Sequence, residues 1–251
     1  MDAFPKHRRH ILLLAGSGEA RDLATALSER ADCKVTGSFL FPPRSFGPLP
    51  VPTRYGRFGG EDGMARYLLA ERIDAVVDAT HPFAHQISAS AARVCARLAV
   101  PIVQVLRPPW TPEEGDRWTE VADERAVAAF LRPGQRVFTT TGRATLEHLV
   151  AQCSARFFVR QLEERAPPAN LKNVCYVTGT GPFSVDEERE TLSELEIDVL
   201  VAKNSGGEPS KTKLIAAREL GLPVILIARP PQPDVLRVET VREALHWVDR
   251  L

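Results

Sequence analysis

At 251 residues the chain exceeds the roughly 100–200 residues of a usual single domain, leaving two modest domains or one large α/β domain. Lys plus Arg and Asp plus Glu balance at 32 each, so no global field exists to hold a polyanion such as nucleic acid. With 44% apolar residues the composition suits a globular protein in water; no stretch approaches the roughly 18 uninterrupted apolar residues of a membrane span, and the basic start runs into too short an apolar segment for a signal peptide.

Residues 10–15 predict a buried strand that runs into Gly16-Ser17-Gly18, and Leu23, Ala24 and Leu27 then follow at helical spacing. Residues 34–40 predict a second strand, and residues 41–60, dense in Pro, Gly and Arg, predict a long loop of the kind that often carries function. A third strand over 73–78, a helix over 84–98 and a fourth strand over 101–106 come next. The polar, turn-rich stretch 111–117 marks a boundary, giving domains at 1–113 and 114–251. Beyond it, strands are expected over 136–139, 155–159, 173–177, 197–202 and 222–228, the last being the final strand. A helix follows Gly142, and others cover 211–220 and 241–248. Apolar strands alternating with helices imply parallel pairing through right-handed crossovers. In such sheets the carboxyl ends of the strands gather loops and helix N-termini around one crevice. The expected fold is therefore α/β, two Rossmann-like domains with mainly parallel sheets and an active-site cleft between them.

Most polar signatures fall at those strand ends. Gly16-Ser17-Gly18-Glu19-Ala20-Arg21 stands where a Rossmann phosphate loop would, although Arg21 replaces the third glycine of G-x-G-x-x-G; a plain strand-to-helix turn is the alternative. The second strand ends in Gly37-Ser38-Phe39 without the acid that NAD-specific folds place near the ribose hydroxyls, which leans toward NADPH. Ser38 with Arg44, Arg54 and Arg57 suits a 2′-phosphate, unless these arginines are simply solvated.

Asp78-Ala-Thr80-His81-Pro-Phe-Ala-His85 is the richest segment, at a strand end before a helix expected to begin near Pro82 or Phe83. His81 is the candidate proton donor or carboxylate anchor, and Asp78 the group that orients it. The plainer reading makes Thr80 a helix cap and His81 a structural imidazole, with His85 on a helix face. Thr141-Gly142 and Lys203-Asn204-Ser205-Gly206, with Lys211 beyond, offer hydroxyls, amides and cations at helix starts, as ordinary caps also do. Arg107 and Trp110 supply a cation and a flat wall for a conjugated ligand, or a packing contact. The four cysteines, Cys33, Cys95, Cys153 and Cys175, form no C-x-x-C pair or His-spaced ligand set, so buried thiols in a reducing compartment and no metal are expected. No G-x-S-x-G, H-E-x-x-H or G-x-x-x-x-G-K-S/T motif occurs, leaving dinucleotide chemistry.

At these residues the chain resembles the precorrin-6A reductase family of aerobic cobalamin biosynthesis. G-S-G-E-A-R at 16–21, D-A-T-H-P-F-A at 78–84, R-P-P-W at 107–110, T-T-G at 140–142, A-K-N-S-G-G at 202–207 and A-A-R-E-L-G at 216–221 carry the likeness, in an order and spacing more specific than any one of them. Many members have a G-G-T version of the first turn, from which Ser17-Gly18 departs. The resemblance implies NADPH-dependent reduction of the C18–C19 double bond of precorrin-6A, giving precorrin-6B, in the cytoplasm and without metal or flavin. It implies a tetrapyrrole bound through Arg54, His81, Arg107, Trp110 and Lys211, and possible channelling to neighbouring pathway enzymes, with no nucleic acid or membrane partner. Two rivals remain at this stage: the anaerobic counterpart acting on a cobalt-loaded macrocycle, and a nucleotide-sensing α/β module without chemistry of its own.

Overall fold

A computed structural model describes residues 8–42, 47–141, 143–162, 167 and 171–251. Arg44 and Gly142, singled out above, lie outside the described residues. The chain forms two compact units, residues 1–107 together with 231–251, and residues 108–230.

The first unit is a six-stranded, all-parallel sheet. Its strands are β1 (Arg9–Ala15), β2 (Cys33–Phe39), β3 (Thr53–Tyr55), β4 (Ala75–Ala79), β5 (Ile102–Val105) and, from the far end of the chain, β12 (Leu236–Val238), in the order β12-β5-β4-β1-β2-β3. From Ile11 to Ala15 β1 is apolar because both its faces are covered. Ile11, Leu13 and Ala15 pack with α1 (Gly18–Ser28) and α7 (Val241–Asp249), while Leu12 and Leu14 pack with α2 (Gly60–Ala70) and α3 (His85–Leu98). Ala20, Leu23, Ala24 and Leu27 form the buried stripe of α1, and Ser17 caps that helix by accepting from the Ala20 N–H.

The second unit repeats the architecture with β6 (Trp118–Val121), β7 (Arg136–Thr139), β8 (Arg156–Gln161), β9 (Val174–Thr178), β10 (Val199–Lys203) and β11 (Val224–Ile227), in the order β6-β11-β10-β7-β8-β9. All five pairings are parallel. α4 (Arg143–Gln152), α5 (Val185–Glu194) and α6 (Thr212–Glu219) are its α-helices among the described residues.

The two units correct the boundary expected at 113/114. The chain leaves the first unit after Arg107 and returns to it at Pro231, so the closing helix belongs with α1, not with the second domain. The reason lies in the sixth strand of the first sheet. β5 is followed by β6, which pairs with β11, and β11 is followed by β12, which pairs with β5. β12 also shows that residues 222–228 are not the final strand, and β3 interrupts the expected loop over 41–60. α3 starts at His85, not near Pro82 or Phe83, because residues 81–84 close a turn of their own, with the Ala84 N–H donating to the His81 carbonyl at 2.7 Å.

Candidate functional site

In the first unit the strand ends open into a pocket of about 510 Å³, within the roughly 300–1,000 Å³ of small-molecule sites. The tip of β1 supplies Leu14, Ala15 and Gly16, that of β2 Ser38, Phe39 and Leu40, and the segment after β3 Gly56, Arg57 and Phe58. Thr80 and His81 after β4 and residues 83–87 at the start of α3 complete the ring, with Gly60 and Met64 of α2. Among the expected cofactor and catalytic residues, the pocket thus collects Gly16, Ser38, Thr80 and His81.

Gly16 is held to glycine by crowding, since a Cβ there would stand 3.0 Å from the backbone nitrogen of His81. Gly18, exposed at the first turn of α1, has nothing within 4 Å of such a Cβ and no positive φ. The Ser17 hydroxyl is committed within the protein, donating to the Ala79 carbonyl at 2.8 Å and accepting from Ala20. Glu19 and Arg107, expected on cofactor and substrate respectively, pair with each other at 2.7 Å. Burial works against ionisation of Glu19, but its own backbone amide and the Arg107 guanidinium together hold its carboxyl below the usual range. Arg21 is exposed on α1.

Arg54 stands behind Ser38. Its guanidinium donates to Ser38 Oγ at 2.8 Å and to the carbonyls of Gly56 and Arg57 at 3.1 and 3.3 Å, and it stacks 3.9 Å from the centre of the Phe58 ring. It therefore shapes the loop. Arg57, exposed on the pocket wall, has no side-chain partner among the described residues and is the cation available to a ligand.

The turn after β4 is built from within. Asp78 is 1% exposed, and its Oδ1 accepts from the Thr80 N–H at 3.1 Å, while Oδ2 is buried and has no hydrogen-bond partner among the described residues. Burial pushes the Asp78 carboxyl up. It reaches the pocket only through the turn it holds, beneath Thr80. The Thr80 hydroxyl meets Ser88 Oγ at 3.2 Å and does not cap α3. His81 Nδ1 accepts from the Phe83 N–H at 3.2 Å, so the proton of the neutral ring lies on Nε2.

In the second unit the expected binding residues form a tied network. Asn204, buried, accepts from the Trp110 N–H at 2.8 Å and donates to the Trp110 carbonyl at 3.0 Å, as a strand neighbour would. The Trp110 indole donates to the Gly207 carbonyl and the residue is 7% exposed, in keeping with the packing alternative for Trp110. Arg229 donates to the carbonyls of Asn204, Ser205 and Pro108. Gly206 has a φ of +67°, and a Cβ there would lie 2.1 Å from the Pro108 oxygen. Lys203 pairs with Glu124 at 2.8 Å and Lys211 with Glu113 at 2.5 Å; Thr141 and Thr139 join their hydroxyls at 2.9 Å.

Sequence reasoning missed Leu40, Gly56, Phe58 and Ser90 as pocket walls and placed His85 merely on a helix face, whereas it lines the pocket. The density of Gly and Arg over 54–60 was the usable signal. It also missed Arg160, Glu188 and Lys213. Arg160 and Glu188 pair at 2.7 Å, both nearly buried, and no local spacing announces them.

Two parallel six-stranded α/β units, one with a strand-tip pocket walled by a glycine turn, define a Rossmann-like α/β protein. Residues 10–249 match the family model described as precorrin-6x reductase CbiJ/CobK, and the chain belongs to that family of reductases. It is 42% identical over 247 residues to a precorrin-6A reductase of Rhodococcus erythropolis, covering 96% of this chain and 98% of that one. It is 30% identical over 250 residues to a cobalt-precorrin-6A reductase of Priestia megaterium, covering 94% and 96%. A solved structure titled CobK precorrin-6A reductase superposes with a TM-score of 0.89 at 38% identity, over 96% of this chain and 97% of that one. Among the described residues no helix is long and apolar enough to cross a membrane.

Proposed function

We propose that the chain reduces precorrin-6A to precorrin-6B in the cytoplasm, using NADPH at the C18–C19 double bond of the macrocycle. The observation that carries the cofactor half is the pocket of the first unit: a glycine turn leading into a capped helix, a second strand ending in Ser38-Phe39 with no carboxylate, and Arg57 on the wall. These residues suit a dinucleotide whose ribose carries a 2′-phosphate, with Ser38, oriented by Arg54, and Arg57 facing that group. When bound, NADPH supplies the hydride, and the protein's share is position and electrostatics.

Each residue then has its own task. Gly16 lets the β1 tip approach the His81 turn, and Gly18 leaves the first turn of α1 bare for a phosphate. His81 offers Nε2–H as a donor within the pocket, and Asp78 is a positioning residue for Thr80 and hence for His81. The second unit takes the acid-fringed macrocycle, with Lys203 and Lys211 exchanging their carboxylate partners for those of the substrate.

The metal-free substrate is preferred because this chain is nearer to a relative named for it, at 42% identity, than to one named for the cobalt form, at 30%. Turnover of each with NADPH, followed by the loss of reduced-nicotinamide absorbance, tests the reading. Oxidation that depends on metal-free precorrin-6A is expected. Oxidation with the cobalt form alone moves the chain to the anaerobic reaction, and binding of NADPH without any oxidation leaves a sensing module.

A further inference from the structure

The turn that carries His81 is gripped at two points. Asp78 takes the Thr80 N–H, and on the other side Gln232 Nε2 donates to the Pro82 carbonyl at 3.0 Å. Gln232 is the second residue of the segment that returns to the first unit from the far end of the chain. It is itself held, for Gln104 Nε2 donates to Gln232 Oε1 at 2.9 Å and Arg237 Nε donates to Gln104 Oε1 at 3.3 Å. Gln104 is buried on β5, and Arg237 lies on β12.

The direction of this series is fixed by its ends. A guanidinium only donates and a carbonyl only accepts, so both amides can be oriented in one way alone. Arg237 forces Gln104 to accept at Oε1 and donate at Nε2, Gln232 must then accept at Oε1, and its Nε2 is left for Pro82. The imide-like peptide of Pro82 has no N–H of its own to contribute, so the carbonyl is the only handle on that residue's backbone.

We infer that Gln232 is the positioning residue of the His81 turn, fixing through Pro82 the Phe83 N–H that His81 Nδ1 accepts and so the Nε2–H that His81 presents. The hydrogen bond from Phe83 to the ring spans the Pro82 peptide, so a shift of that peptide moves donor and acceptor relative to each other. Unpinned, the turn no longer selects one tautomer. The return of the chain to the first unit thereby acquires a purpose at the site, since the returning segment sets the geometry of a loop built long before it in sequence.

The effect on ligand rests on the reading that this pocket holds NADPH, whereas the effect on the ring does not, and the test separates them. In the intact chain, imidazole nitrogen NMR reports the His81 tautomer, and titration reports NADPH affinity, for wild type, Gln232→Leu and Gln232→Glu. Glutamate keeps the size and the acceptor for Gln104 but, ionised, cannot donate to Pro82, so it remains informative if the leucine variant fails to fold. The expected result is a single Nε2–H tautomer in wild type, a mixture in both variants, and NADPH binding weakened about tenfold, the scale of one misplaced hydrogen bond. An unchanged tautomer in Gln232→Glu overturns the inference. A mixed tautomer with wild-type NADPH affinity and turnover overturns its functional half. Failure of the wild type to bind NADPH counts against the cofactor reading, while the tautomer comparison still decides the role of Gln232.

Discussion

Gly16 and Gly18 stand two residues apart with opposite reasons for being glycine, and that difference is testable. A methyl on Gly16 meets backbone, so Gly16→Ala should lower the melting temperature as well as ligand affinity. A methyl on Gly18 meets nothing in the protein and adds helix propensity at the start of α1. Gly18→Ala should therefore be neutral or stabilising by up to about 1 kcal/mol, while weakening NADPH binding because it fills the space a phosphate needs. Thermal melts beside titrations distinguish the two. Asp78 gives a pH signature. Its folded pKa is raised by burial, so its contribution to stability is fully present below the unfolded value and is lost as pH rises through the folded one. Asp78→Asn keeps the acceptor for Thr80 and removes the titration, and the variant should gain on wild type in chemical denaturation as pH climbs from about 4 toward neutrality. That Gly16, Ser38, Thr80 and His81 gather at one pocket was readable because they stand at strand ends, where loops converge whatever the details of packing. The mutual clamp of Asn204 and Trp110 was not, because it joins residues distant in sequence.

At the scale of elements, the end of the second sheet holds a charged cluster that the apolar pattern conceals. Arg160 on β8 pairs with Glu188 on α5 and stacks between Phe138 and Phe183, at 4.8 and 4.1 Å from their ring centres. Lys213 on α6 donates to the Ser210 carbonyl and lies 5.4 Å from the Trp110 ring. Burial pulls the Lys213 ammonium down to about 8, with Arg160 adding to the effect and Glu188 opposing it. The folded chain then binds fewer protons than the unfolded one between that value and about 10.4, so this group makes stability rise with pH across the window. Lys213→Met should abolish that segment of the dependence in denaturation midpoints. Most strands and the helices α1, α3, α4, α6 and α7 were legible from period and punctuation, whereas α2 and α5 were not singled out. β3, β6 and β12 escaped because three- and four-residue edge strands leave too short a pattern, and their pairing depends on partners supplied by the fold.

For the whole molecule, the return of β12 and α7 to the first unit decides which pieces can fold alone. Residues 108–230 contain all six strands of their sheet. Residues 1–107 lack β12 and α7, and with them Ala244, Trp247 and Val248, which complete the core over α1. The fragment 108–230 should therefore show a cooperative melt, and 1–107 should not until residues 231–251 are supplied. Circular dichroism with the separate and mixed fragments checks this. Two parallel α/β units were readable from alternating strands and helices, but a boundary set by composition could not reveal a chain that returns. The claim on which the functional account turns is that the strand-tip pocket of the first unit holds the dinucleotide. Backbone hydrogen exchange of the intact chain, with and without NADP⁺, tests it most directly. Added protection should fall on residues 14–18, 38–40, 56–58 and 80–87; protection confined to residues 139–141 and 203–207 would contradict the account and give the cofactor to the second unit.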